Sequence, residues 1–170
     1  MNAGEYQAAA NYWKQKERVE MPEGDLRTFV ETFFAEHEVC ALATGTGDFV
    51  RATPLEYSYH DGAFWIFTEG GEKFVGLEKN VNVSLAVFDP NSKFGSLKSV
   101  QVMGTAELVE PMSEMYVTHA EVKGIPVSAL QKLADEGRPM HLLHIVPAHM
   151  DVLCSAFKKE GFDSRQVLEF

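Results

Sequence analysis

Ala41 to Glu110 reads "ALATGTGDFVRATPLEYSYHDGAFWIFTEGGEKFVGLEKN" and then "VNVSLAVFDPNSKFGSLKSVQVMGTAELVE". Its punctuation is that of consecutive antiparallel strands. Gly45-Thr46-Gly47-Asp48 and Asp61-Gly62 are hairpin turns built of residues that tolerate positive φ. The segments between them are rich in β-branched and aromatic residues. Strands are expected over Val39–Thr44, Phe49–Tyr59, Ala63–Thr68, Val81–Asp89 and Val100–Val109. Pro54 removes a ladder donor, so the second strand should bulge there or lie at a sheet edge. The third strand, with Phe64, Trp65, Ile66 and Phe67, reads as buried on both faces. In the fifth, Val100, Val102, Gly104, Ala106 and Leu108 alternate with Gln101, Met103, Thr105 and Glu107.

Outward from that block the periodicity turns helical. Leu26, Phe29, Val30, Phe33 and Phe34 form one stripe from Asp25, the expected N-cap, to Glu36. Glu5 to Arg18 is weakly amphipathic through Tyr6, Ala9, Ala10 and Trp13. Glu72 to Lys79 reads as a short helix that turns Phe74, Val75 and Leu77 inward and stops near Asn80. Pro111 to Gly137 is helical with a break at Gly124-Ile125-Pro126, and Met140–Leu153 is a sixth strand broken near Pro147. The fold class is α+β: a six-stranded antiparallel split β-barrel with flanking helices. One domain over 1–170 is expected, with 1–22 a helical extension and 154–170 a tail of no clear assignment.

Composition narrows the function. The net charge of −10 argues against nucleic acid or an anionic membrane surface as main partner, since both need a basic face. It leaves room for a phosphorylated cofactor, which needs only two or three local cations. Cys40 and Cys154 each sit in an apolar run without a CxxC motif, which reads as two buried thiols in a reducing compartment. The first 20 residues contain no signal-type apolar core and no run approaches 18 apolar residues, so a cytoplasmic location is expected. Six histidines (His37, His60, His119, His141, His144, His149) fall in no HExxH or helical HxxxH spacing, and no metal site is expected. Arg51, early in the second strand, and Lys73, just past the third, lie among aromatic and β-branched residues. A barrel that brings these two cations together beside apolar strands suits a flat ligand carrying a phosphate.

The ordered set "LAT", "RATPLEY", "FWIFT", "EKFVGLEKNVNVSLAVFD" and "VQVMGTAELVE" resembles the pyridoxamine 5'-phosphate oxidase-like FMN-binding split barrels over roughly Phe29 to Glu110. The resemblance implies a homodimer with FMN in grooves at the subunit interface. It implies that Arg51 and Lys73 hold the phosphate with Thr68, that Thr53, Pro54 and Leu55 run along the ring edge, and that Gln101 approaches the ring. Pyridoxamine 5'-phosphate oxidase itself ends in an Arg-x-His substrate motif and an Arg-Leu-x-Pro terminus; this chain ends in "DSRQVLEF" and lacks both. The resulting expectation is an FMN-binding oxidoreductase acting on a small-molecule substrate or a nicotinamide donor, with no catalytic acid or base named. The alternatives are a haem-binding or haem-degrading split barrel, with His149 or His144 as axial ligand, and a non-enzymatic flavin-binding dimer.

Overall fold

The computed structural model describes residues 2–170. Eight strands form one antiparallel sheet: β1 (Val39–Thr46), β2 (Phe49–Glu56), β3 (Ser58–His60), β4 (Ala63–Thr68), β5 (Asn82–Phe88), β6 (Lys98–Val109), β7 (His141–Cys154) and β8 (Arg165–Glu169). The spatial order is β2-β1-β5-β6-β7-β4-β3, with β8 added on β7. Five helices flank it: α1 (Ala3–Asn11), α2 (Glu23–Glu36), α3 (Lys73–Leu77), α4 (Glu114–Val122) and α5 (Val127–Asp135), with a 3-10 turn over Ser155–Glu160.

The α+β split barrel stands, with eight strands in place of six. One extra strand comes from Tyr57, which divides the expected second strand into β2 and β3. Its N–H donates to the Glu38 carbonyl at 3.0 Å, closing the β1–β2 ladder, and its buried ring is tied to α2 by the hydroxyl donating to the Phe34 carbonyl at 3.1 Å; beyond it the chain leaves β1 and pairs with β4. β2 and β3 stand at opposite ends of the strand order, yet one residue joins them. A link that short requires the two ends of the sheet to approach each other, which rolls the sheet into a barrel. The other extra strand, β8, comes from the tail.

Pro54 meets the expectation of an edge position. β2 pairs only with β1, in unbroken register from Val39↔Glu56 to Thr46↔Phe49, without a bulge. The bulge lies elsewhere: Met103 pairs with His149 and Gly104 with Pro147, leaving Ala148 as the extra residue. Gly104 is required there, since a Cβ would come within 2.3 Å of the Val146 carbonyl oxygen.

The barrel interior is filled by β1, β4, β5, β6 and β7, and closed by α2 through Leu26, Val30, Phe33 and Phe34. A second cluster on the outside of β4 and β7 packs Trp65 and Leu142 against Tyr116, Ala120 and Leu130 of α4 and α5. Several helical expectations shift. Pro22 occupies the α2 N-cap and Asp25 lies in the first turn. The first helix ends at Asn11 and buries none of its residues. In α3 the buried residues are Lys73 and Gly76, while Val75 is half-exposed. Gly76 is the contact point with β1: a Cβ there would lie 2.9 Å from the Gly45 nitrogen. Both cysteines are buried and free, and burial pushes the Cys40 thiol up to about 12.

Candidate functional site

Alternation along β2 sorts the expected site residues onto two faces. Arg51 pairs with Thr44, Thr53 with Leu42 and Leu55 with Cys40. Thr44, Leu42 and Cys40 are buried, so Arg51, Thr53 and Leu55 share the inner side of the barrel wall. Pro54 pairs with Ala41 on the outer side. Leu55 packs on the core, which leaves its backbone rather than its side chain for any ligand.

The two cations come together. The loop after β4 runs through Gly70 (φ 133°) and Gly71 (φ 102°), conformations that L side chains rarely adopt. That path folds the start of α3 back toward β2. The Lys73 ammonium donates to the Gly70 carbonyl, and Lys73 is only 4% exposed. Desolvation lowers its pKa from the ordinary lysine value, and the neighbouring positive charge of Arg51 lowers it further. No carboxylate among the described residues forms an ion pair with Lys73. Arg51 is paired with Glu72, both partners being well exposed. Thr68, buried at the end of β4, accepts a 3.5 Å hydrogen bond from the Gly70 N–H.

Around this pair lie polar atoms without partners. Thr44 Oγ1, Thr53 Oγ1 and His141 Nδ1 are buried and make no hydrogen bond. Thr44 is the ladder partner of Arg51 and sits against Gly76. His141 is the ladder partner of Thr68, with its ring 5.1 Å from that of Phe74. Buried polar groups are normally satisfied, and these three unpaired atoms lie close to a buried ammonium. Nothing in the sequence pointed Thr44 or Glu72 to this site, and His141 counted there only as a candidate metal ligand. These contacts depend on strand pairing.

Gln101 lies apart from this group. Across the sheet it is aligned with Ala86, Ala41 and Pro54, three strand spacings away, about 14 Å. It lines a groove of about 650 Å³ between the N-terminal segment and strands β6, β7 and β8.

His60, His119, His144 and His149 engage other groups. Trp65 is stacked between His119 at 3.4 Å and His144 at 4.0 Å. His119 Nδ1 lies 3.1 Å from His60 Nε2, and His144 Nδ1 lies 2.6 Å from Glu107. His149 meets Glu169 at 2.7 Å through Nδ1 and Asp151 at 3.3 Å through Nε2. Among the described residues no group of three or more His, Cys, Asp or Glu could hold a metal ion, and no helix is long and apolar enough to cross a membrane.

Comparison with known proteins places the fold. Among solved structures, the chain is similar to HutZ, the haem storage protein of Vibrio cholerae: 18% identity, 72% of this chain and 89% of that chain covered, TM-score 0.58. It is similar to an FAD-binding protein of Mesorhizobium loti, with 24% identity, 74% and 89% coverage and a TM-score of 0.53. It is also similar to Campylobacter jejuni ChuZ, with 15% identity, 88% of this chain and 61% of that chain covered, and a TM-score of 0.66. At these identities the likeness is one of fold. No curated protein gives a significant match. The family model described as pyridoxamine 5'-phosphate oxidase matches residues 26–154, from the first buried leucine of α2 to the last residue of β7. By that match over most of its length, the chain belongs to the pyridoxamine 5'-phosphate oxidase family.

Proposed function

We propose that the protein is an FMN-binding oxidoreductase whose flavin sits at a homodimer interface, with its phosphate held by Arg51, Lys73 and Thr68. The observation that carries this reading is Lys73, an ammonium buried to 4% exposure without a carboxylate partner, beside a second cation and three orphaned polar atoms. A buried charge is costly unless it is paired, and a phosphate dianion would pair with both cations at once. Arg51 would exchange Glu72 for the phosphate and present its two-toothed fork. Thr68 and the Gly70-Gly71 backbone would complete the cradle.

Thr53, Pro54 and Leu55 would border the ring with the backbone of an edge strand, whose outward N–H and C=O groups are free of the ladder. The outer faces of β1, β2 and β5 carry Ala41, Ala43, Ala52 and Ala86, small enough for a second copy to lie close. The partner subunit's Gln101 would reach the ring, since the distance across one sheet is too long. The bound flavin would supply the redox chemistry, carrying an electron pair between a donor such as a nicotinamide and a small-molecule acceptor. The protein's part is to anchor the phosphate and orient the ring. A cytoplasmic dimer of one domain per chain is the assembly this implies.

The haem reading finds less support. His149 has both ring nitrogens engaged by carboxylates, and His144 is tied to Glu107 and stacked on Trp65. An axial ligand needs a free nitrogen and an open approach.

The test is titration of the purified protein with FMN, followed by quenching of flavin fluorescence. Arg51→Ala should weaken binding about ten-fold, since one charge-assisted bond is worth about 1.5–3 kcal/mol and Arg51 is partly solvated. Mixing the flavin-loaded protein with NADPH should bleach the flavin if the protein is an enzyme; bound flavin that stays oxidised would make it a non-enzymatic flavin binder. A well-folded dimer that takes up no FMN would refute the proposal.

A further inference from the structure

The rings around Trp65 form a hydrogen-bonded relay outside the barrel, on the face of β4 and β7 that α4 and α5 cover. His60, at the end of β3, directs Nδ1 at Asp61 Oδ2 and Nε2 at His119 Nδ1 of α4, each at 3.1 Å. With the His60 Nδ1 proton on the Asp61 side, its Nε2 is bare and accepts from the His119 Nδ1–H. Both rings are neutral in that arrangement. His119 is 9% exposed and lies flat on Trp65, whose other face carries His144.

This imidazole pair ties α4 to the sheet. So do the Tyr116 hydroxyl, which donates to the Met140 carbonyl at 2.9 Å, and the ion pair of Lys123 with Glu56 at 2.7 Å. The imidazole pair is the tie whose charge changes near neutral pH. One added proton leaves it intact, because whichever ring carries the proton can donate to the other. A second leaves N–H opposed to N–H across 3.1 Å, with two positive charges in contact. The neighbouring charges compensate little. The Asp61 side chain is 89% exposed, so water screens it. Glu107 of β6 is engaged by His144 of β7 at 2.6 Å, and His144 repels the pair once it is charged. Lys123, one turn along α4, is positive and its carboxylate partner is Glu56 at the end of β2. Burial, His60 and His144 all hold the His119 pKa below 6.5, against the pull of Asp61.

We propose that the His60–His119 pair is an acid-released latch on the helical cover of the barrel. With at most one added proton it holds α4 and α5 against β4 and β7. The second proton frees that cover and bares Trp65 and Leu142, while the barrel core, closed separately by α2, stays folded. The device lies within one chain and uses no residue of the Arg51–Lys73 cradle.

Amide hydrogen exchange of the full-length protein, corrected for the intrinsic pH dependence of exchange, tests it. As pH falls from 6.5 to about 5, the amides of α4 should lose protection, by up to about ten-fold per pH unit for each extra proton taken up on opening. Those of β6 and β7 should stay protected. His60→Asn keeps a polar partner for His119 but cannot become charged, so its α4 should remain protected through the same range. Trp65 and Trp13 are the chain's two tryptophans, so Trp13→Phe isolates Trp65 emission. That emission should shift to the red with the loss of α4 protection. The proposal is overturned if α4 protection in the wild type holds to about pH 5, or if β6 and β7 are lost together with α4, which is global acid unfolding. It is equally overturned if folded His60→Asn opens as the wild type does, or if Trp65 is quenched without a red shift, which is titration of His119 under a closed cover. The wild-type exchange decides the matter should the variant fail to fold.

Discussion

Replacing Lys73 by methionine separates function from stability at the proposed phosphate cradle. The ammonium is almost wholly buried, its hydrogen-bond partner is the Gly70 carbonyl, and Arg51 repels it. Without a bound anion that arrangement costs stability, and replacing uncompensated buried charge by an apolar side chain of similar length is commonly worth about 1–3 kcal/mol. For a chain of this size that corresponds to a rise of roughly 2–4 °C in Tm per kcal/mol. The same change removes a charge-assisted bond to phosphate, about 1.5–3 kcal/mol, or roughly ten-fold or more in FMN affinity.

A pH signature accompanies it. Because the folded-state pKa of Lys73 lies below the ordinary value of 10.5, the unfolded chain binds more protons between those two values. Wild-type stability therefore gains a contribution from this residue as pH rises toward 10.5, and Lys73→Met lacks it. The assay is thermal and urea unfolding of flavin-free protein at several pH values, alongside FMN titration. A variant that melts lower than wild type and binds FMN as tightly would refute the reasoning about this site.

Three further outcomes are expected. Glu72→Gln frees Arg51 from its carboxylate, so FMN should bind a few-fold more tightly; the pair is exposed, and stability should change by less than about 1 kcal/mol in urea unfolding. Gly104→Ala forces a Cβ to 2.3 Å from the Val146 carbonyl oxygen, a backbone atom that cannot step aside, and should destabilise by about 1–3 kcal/mol or more. Burial holds the His119 pKa below its ordinary 6.5, helped by His60 and His144 and opposed by Asp61. The unfolded chain therefore takes up the proton first, and stability should fall as pH drops below 6.5. Glu107, paired with His144, is the other acid at the stack. His119→Gln should flatten that acid limb, read as the pH dependence of the urea midpoint.

Much of the architecture was legible in the chain itself. The hairpin glycines, the period-2 alternation of β6 and the apolar stripe of α2 are local signals, each set by φ preference or by which face is dry. They fixed five of the strands closely, the α4–α5 break and the family resemblance. Arg51 and Lys73 reached the short list as cations among aromatic and β-branched residues, and the family resemblance added Thr68. What the local pattern could not give was anything set by pairing between distant segments. Tyr57 divides a strand because its ring is tied to α2 at the Phe34 carbonyl and the chain beyond it pairs with β4 instead of β1. β8 forms because β7 is long enough to receive it, and nothing in "SRQVLEF" alone demanded it. Alternation set Pro54 outward and Arg51 inward once β1 fixed the register, and the strand order moved Gln101 away from both. The burial of Lys73 belongs to the same class. Backbone preferences act over a few neighbours and are written in sequence, whereas desolvation and charge proximity arise only when segments far apart in the chain share a surface.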